Sequence, residues 1–139
     1  MQLFHRIKIF VYRQGDAKPD YLLLKPEQGI EGLWGPIQGD LGLGEQLEQA
    51  VRRRAAEATG VPCLGPVIDL DLPSRWSLGD EEVVEWVFGC RPTQDPDPAR
   101  LSEGWAEHRW ADFALAYPAL GFENDREAMI RLHTLLDAA

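Results

Sequence analysis

The stretch "GDLGLGEQLEQAVRRRAAEATGV", residues 39–61, decides how this chain is read. It opens as a glycine-rich loop, with Gly39, Gly42 and Gly44, and runs into a helix. Leu47, Val51, Ala55 and Ala58 recur at helical spacing, which predicts a helix over 45–59. Gly60 stands at the C′ position, where a left-handed residue ends a helix. A loop of this kind ahead of a helix often holds phosphate, because unpaired backbone N–H groups point at the ligand there. A metal-assisted phosphate site then needs carboxylates along the helix. The middle of this helix instead reads Arg52, Arg53, Arg54.

Two phosphate-loop templates fail on residue identity. Gly39 and Gly44 fit the first half of a Walker A pattern, but Glu45 and Gln46 occupy the places of its Lys and Ser/Thr. No lysine there reaches a β- or γ-phosphate. A dinucleotide fingerprint needs G-x-G-x-x-G directly after a strand, and the spacing here is G-x-x-G-x-G.

Outward from this stretch, residues 3–14 alternate as a strand. Leu3, His5, Ile7, Ile9 and Val11 lie on one face, and Phe4, Arg6, Lys8, Phe10 and Tyr12 on the other. "GDAKPD" is a turn, and "YLLLK", 21–25, pairs back as a hairpin. "PEQGIEG" reads as a loop and "LWGPIQG", 33–39, as a short extended piece, since Pro36 and the glycines exclude a helix. "VPCLGPVIDLDLP" predicts a strand that Pro73 ends, and 81–92 a second strand with Val83, Trp86 and Phe88 inward. Glu81, Glu82 and Glu85 on it are read as solvent-facing. Residues 93–104 read as a Pro- and Asp-rich loop, "EHRWADF" as a strand or bend, and 114–122 as a short helix broken by Pro118. A terminal helix follows, capped by Asn124 or Asp125, with Met129, Leu132 and Leu136 inward. Strands, helix, strands, helix predict an α/β (α+β) sandwich around a mixed sheet.

The 139 residues predict one domain, 1–139, with 45% hydrophobic residues for its core. No apolar run reaches the length of a membrane span. The charged, alternating N-terminus excludes a signal peptide. Cys63 and Cys90 form no metal spacing and no disulfide framework, which places the chain in a reduced, cytoplasmic setting. A net charge of −9 argues against nucleic acid as a partner.

A third template does better. Residues 39–61 resemble the Nudix box, G-x5-E-x7-R-E-U-x-E-E-x-G-U, with U a bulky aliphatic. Gly39, Glu45, Arg53, Glu57, Gly60 and Val61 are in register, while Arg54 and Ala58 stand where that family has Glu, and Ala55 is small for U. The flanks extend the resemblance. Trp34 to Gly39 is similar to the family's W-x-x-x-x-G approach, and "EHRW" at 107–110 to the E-H-x-x-x-W segment of its bacterial dATP or dihydroneopterin triphosphate pyrophosphatase branch. The resemblance implies a Nudix-type α-β-α sandwich and a pyrophosphohydrolase acting on nucleoside diphosphates linked to another moiety. It also implies dependence on Mg²⁺ or Mn²⁺, and dimers are common in the family.

Mg²⁺ wants hard oxygen ligands and orients the diphosphate for attack by water. The family's ligands come from one helix face, to which positions 54, 57 and 58 correspond. Here they read Arg, Glu, Ala. An intact face carries −3, whereas +1 from Arg54 and −1 from Glu57 leave zero. Two unit charges about 4 Å apart interact by roughly 4 kcal/mol at an effective dielectric near 20. Arginine has no accessible neutral form to relieve this. The usual ion cluster is therefore not expected, and a weaker site is assigned to Glu57 with Glu107.

The resemblance implies that Gly39, Glu45, Arg53 and Gly60 frame the box, with Arg53 orienting Glu45 or Glu57. Lys25 faces the phosphates, and Trp34 stacks on a base or packs in the core. Arg54 either lies on an exposed basic face or binds phosphate as a guanidinium fork. Trp86 and Trp110 are read as core, and His5, His108 and His133 as non-catalytic. Two functions are carried forward. One is a hydrolase of a nucleotide-like small molecule with a weakened metal site. The other is an inactive Nudix-fold module that binds a nucleotide or a protein.

Overall fold

The alternation at the N-terminus builds the strand that organises the rest, β1, Gln2–Gln14. The structure, a computed structural model, describes residues 2–26, 33–96 and 98–137. Most of the loop expected at 26–32 therefore lies outside the described residues. Strand β1 runs parallel to β6, Glu81–Cys90, from Gln2↔Glu81 to Val11↔Cys90. It pairs antiparallel with β3, Ile37–Asp40, and, through the expected turn, with β2, Pro19–Lys25. Strand β7, Glu107–Asp112, extends β2; β4, Ile68–Asp69, and β5, Ser74–Leu78, pair with β6. The seven strands form one mixed sheet.

Both faces of β1 are buried. Ile7, Ile9 and Val11 pack with Val51 and Ala55 of α1, Leu47–Thr59, and with Leu101 of α2, Pro98–Gly104. Phe10 on the opposite face packs with Ala116 of α3, Phe113–Ala119, and with Met129 and Leu132 of α4, Glu123–Asp137. This is the sandwich around a mixed sheet that the element order predicts. Gly60 ends α1 in the left-handed region, φ 75°, with its N–H on the Ala56 carbonyl.

Several expectations are corrected. Of the strand expected at 61–73 only Ile68–Asp69 pairs, because Pro62, Pro66 and Pro73 have no N–H to give a ladder. Strand β5 was not expected; it reaches β6 through a two-residue Gly79-Asp80 turn with Gly79 at φ 60°. The Pro-rich loop contains α2, which starts at Pro98, where a missing N–H does no harm, and is anchored by the buried Leu101. Pro118 lies one residue before the end of α3, so it does not break the helix. Neither Asn124 nor Asp125 caps α4: the helix starts at Glu123, and Arg126 N–H donates to the Phe122 carbonyl.

Asp125 has another partner. Lys8 shares the inward face of β1 with Phe10 and is buried there. Its Nζ lies 2.7 Å from Asp125 Oδ1 and 3.3 Å from Glu85 Oε1. Glu85, expected in solvent, is 5% exposed, because its place on β6 is the same face as Val87. Removing the ammonium strands two buried carboxylates, so Lys8→Met is expected to destabilise the fold by about 3–5 kcal/mol. Arg6→Ala, which loses the surface pair with Asp40 at 3.6 Å and an exposed hydrogen bond to Gln38 Oε1 at 3.4 Å, is expected to lose less than about 1 kcal/mol. Urea unfolding of the two variants measures the contrast.

Candidate functional site

Glu45 lies just before α1, and Arg53 lies two turns into it. Arg53 donates to both Glu45 carboxylate oxygens, Nε at 2.7 Å and Nη2 at 2.8 Å, and through Nη1 to Glu57 Oε1 at 3.1 Å. Glu45 Oε1 also accepts the Gly42 N–H at 2.9 Å. One guanidinium thus folds the glycine loop back onto the helix. The Arg53 fork and the Gly42 N–H both favour the ionised carboxyl, pulling Glu45 from 4.5 down to about 2. Arg53 is held still more firmly protonated than usual by Glu45 and then Glu57.

Its neighbours point elsewhere. Arg52 donates to Glu48 Oε1 at 3.1 Å and to the Cys63 carbonyl. Arg54 lies across Gly39, where an added Cβ would sit 2.6 Å from its Nε. Gly39 is opposite Ile7, on the sheet face that α1 covers. Arg54 Nη1 is 3.8 Å from Glu57 Oε2, and its Nε is buried without an acceptor. All three arginine side chains are a third exposed, 31–37%, so the run is not a solvated basic face.

The two- or three-ion magnesium cluster that the resemblance implies does not fit these residues. Glu57 is the one carboxylate among positions 54, 57 and 58, and two arginines already share it. Among the described residues no three Asp, Glu, His or Cys side chains are grouped to hold a metal ion. Glu107 is paired with Lys25, Nζ to Oε2 at 3.0 Å, in direct register between β2 and β7. Lys25 Nζ also lies 4.5 Å from the Trp34 ring centroid, and Arg109 Cζ 4.9 Å from it. Trp34 is therefore partly packed in the core and covered by two cations.

Trp34 lines a cavity of about 280 Å³ with Leu33, Gly35, Gln38, Trp105 and Asp125 among others. It is mostly apolar, yet Asp125 Oδ2 in its wall is buried and unpaired, while Oδ1 is held by Lys8. A Cβ on Gly35 would sit 3.7 Å from that oxygen. Gln38 and Gly39 are adjacent on β3 and face opposite ways. The cavity reaches Gln38, on the face of β3 away from Gly39 and Arg54, and also takes in Leu24 and Trp105 from the cluster on the α1 side. Sequence reasoning missed Asp125, Lys8 and Trp105. The signal was there for Asp125, which stands four and seven residues before Met129 and Leu132 on the same inward stripe of α4. Two of the three histidines have side-chain partners: His133 Nδ1 meets Tyr21 Oη at 2.7 Å, and His5 Nδ1 accepts from Trp86 Nε1 at 3.4 Å.

The family model for the NUDIX domain matches residues 5–132. The chain belongs to the NUDIX domain family. No curated protein matches the chain by sequence. Among solved structures it is similar to a NUDIX hydrolase from Listeria monocytogenes, with 15% identity over 96% of this chain and 94% of that one and a TM-score of 0.77. It is also similar to the Escherichia coli dihydroneopterin triphosphate pyrophosphohydrolase, with 18% identity, 94% and 95% covered, and a TM-score of 0.75. A Caenorhabditis elegans Ap4A hydrolase complex shares 16% identity over 98% and 99%, with a TM-score of 0.73. At these identities the likeness is one of fold.

The Glu45–Arg53 clamp sets an acid limit. Folding depresses the Glu45 pKa, so its contribution is full above about 4.5 and is lost as pH falls from there towards 2. In melts across that interval, wild type is expected to lose more stability than Glu45→Gln, and the two curves to converge at the acid end.

Proposed function

We propose that the chain binds a nucleoside triphosphate or another nucleoside diphosphate-linked small molecule, with Arg54 contacting the phosphates. The observation that carries this is Arg54 itself. It lies across Gly39 beside Glu57, on the helix face whose carboxylates hold metal ions elsewhere in the family. A guanidinium fork supplies positive charge and planar N–H donors to phosphate oxygens without an ion. Arg53, held by Glu45 and Glu57, keeps the loop and helix in place but is itself saturated with partners.

The cavity beside Trp34 and Trp105 suits the heterocycle of such a ligand. The buried, unpaired Asp125 Oδ2 in its wall suits a ring that presents an N–H. A ligand holding both subsites crosses β3 between Gln38 and Gly39, where that strand pairs with β1 alone among the described strands.

A second reading is a metal-dependent pyrophosphohydrolase with weakened turnover. The intact Gly39, Glu45, Arg53, Glu57 and Gly60 frame favours it, as does the hydrolytic family. In this reading Glu57 and Glu107 leave their arginine and lysine partners to act on the ligand.

Calorimetry with a nucleotide panel in the presence of a chelator tests the first reading. Wild type is expected to bind, Arg54→Ala to bind about tenfold or more weakly, and Mn²⁺ to add little. Asp125→Asn is expected to weaken binding of amino-bearing purine nucleotides about tenfold, while sparing a purine nucleotide with no N–H on its ring. Turnover in Mn²⁺ clearly above that of Glu57→Gln would establish the hydrolase instead. The double variant Arg54→Glu with Ala58→Glu restores the missing carboxylates and is expected to raise Mg²⁺-dependent hydrolysis at least tenfold if the cleft is otherwise that of a hydrolase.

A further inference from the structure

We propose that Cys63 and Cys90 are an oxidative modification site, joined by peroxide into an intramolecular disulfide that fastens the end of the box helix to the sheet. The sequence separates them by 27 positions and offers no disulfide spacing, but the fold brings Sγ to Sγ at 3.3 Å. Cys63 lies just beyond Gly60, the stop of α1, and Cys90 is the last residue of β6. Both are buried in the core cluster on the α1 side of the sheet. A disulfide needs about 2.05 Å between sulfurs, so the remaining closure is within reach of side-chain rotation. Beside the pair, Thr93 N–H donates to the Pro62 carbonyl at 3.0 Å and holds the two segments together.

The two thiols are not equivalent. Cys90 Sγ–H donates to Cys63 Sγ, and this hydrogen bond pulls the Cys63 thiol below its ordinary range, against burial; the nearby Arg52 charge adds to the effect. The same hydrogen bond, with burial, pushes Cys90 up. Cys63 is therefore the attacking thiolate and Cys90 the resolving thiol. The Cys63 thiolate attacks one oxygen of hydrogen peroxide; the O–O bond breaks, giving a Cys63 sulfenic acid and hydroxide, which takes up a proton to become water. Cys90 sulfur then attacks Cys63 sulfur; the S–O bond breaks, and the hydroxyl leaves with the Cys90 proton as a second water. Two thiols are oxidised by two electrons and one peroxide is reduced to two waters. Peroxide is small enough to reach the buried pair during local opening of the 61–67 segment.

The product ties down the helix that carries Arg53, Arg54 and Glu57. A crosslink that closes a loop of this size restricts the unfolded chain, so the oxidised form is expected to melt several degrees higher.

The test treats folded, reduced protein with hydrogen peroxide, then unfolds it, alkylates free thiols and analyses it by mass spectrometry. The expected result is a loss of about 2 Da, no alkylation, a peptide joining Cys63 to Cys90, and a raised melting temperature that dithiothreitol reverses. Cys90→Ser is expected to trap sulfenic acid at Cys63, detected with dimedone, whereas Cys63→Ser leaves Cys90 alkylatable. Two alkylated thiols after treatment of wild type, a link between chains only, or a linked form that melts no higher would overturn the proposal. Sulfenic acid on Cys90 in Cys63→Ser equal to that on Cys63 in Cys90→Ser would overturn the assigned order.

Discussion

The Arg53 guanidinium is the constraint on which the site depends. It binds Glu45 with two parallel donors and Glu57 with a third, joining the loop to the third turn of α1. Glu45 in turn takes the Gly42 N–H, so the chain between β3 and α1 has a fixed course. That course presses α1 against β3 until Arg54 lies over Gly39. A Cβ at position 39 would meet Arg54 Nε at 2.6 Å, well inside contact distance, so a larger residue there pushes the Arg54 side chain off the strand. A wrong residue at 53 instead releases the loop from the helix, because Arg53 joins Glu45 to Glu57.

Three consecutive arginines follow three directions because each helical residue turns about 100° from the last. Arg52 reaches back to Glu48 and out to the Cys63 carbonyl, Arg53 closes the loop, and Arg54 crosses Gly39. In the box pattern of the family, position 54 carries a carboxylate. A carboxylate there attracts a divalent ion, and a guanidinium repels one and attracts the phosphate directly. The substitution thus reverses the sign of the charge at this place on the helix, and in the proposed binding mode the phosphates meet the guanidinium itself. The frame rests on contacts within the protein: Arg54 over Gly39, the Glu45–Arg53 pair, and the helix stop at Gly60.

Elements with a strong apolar period were readable from sequence: β1 with its hairpin partner, α1 with its glycine stop, β6, and the inward stripe of α4. Elements defined by other means were not. Strand β5, "SRWSL", has too few apolar residues to show a period, and only its Gly79-Asp80 turn marks it. Helix α2 hides in a stretch whose proline and aspartate content reads as loop. At the site, Arg53, Glu45 and Glu57 lie within 13 positions of one another, so register alone placed them. Lys8, Glu85 and Asp125 meet across as many as 117 positions, and charged side chains are ordinarily assigned to solvent. The strand period sets Lys8 on one face with Phe10, and Asp125 stands in line with Met129 and Leu132, though the sequence reading makes it a cap. Charge, taken as a sign of exposure, concealed what periodicity showed.

The two halves of the site ask for opposite things. On the α4 side of β3 stand two carboxylates and one ammonium, with one carboxylate oxygen still lacking a donor. On the α1 side stands Arg54, whose Nε lacks an acceptor and whose ion-pair partner, Glu57, is shared with Arg53. A purely anionic ligand satisfies the second half and is repelled by the first; a neutral heterocycle does the reverse. The proposed ligand, with ring N–H groups at one end and phosphates at the other, offers each half the group it lacks. Since alternate residues of a strand face opposite ways, Gln38 and Gly39 present these two demands on opposite faces of one short strand.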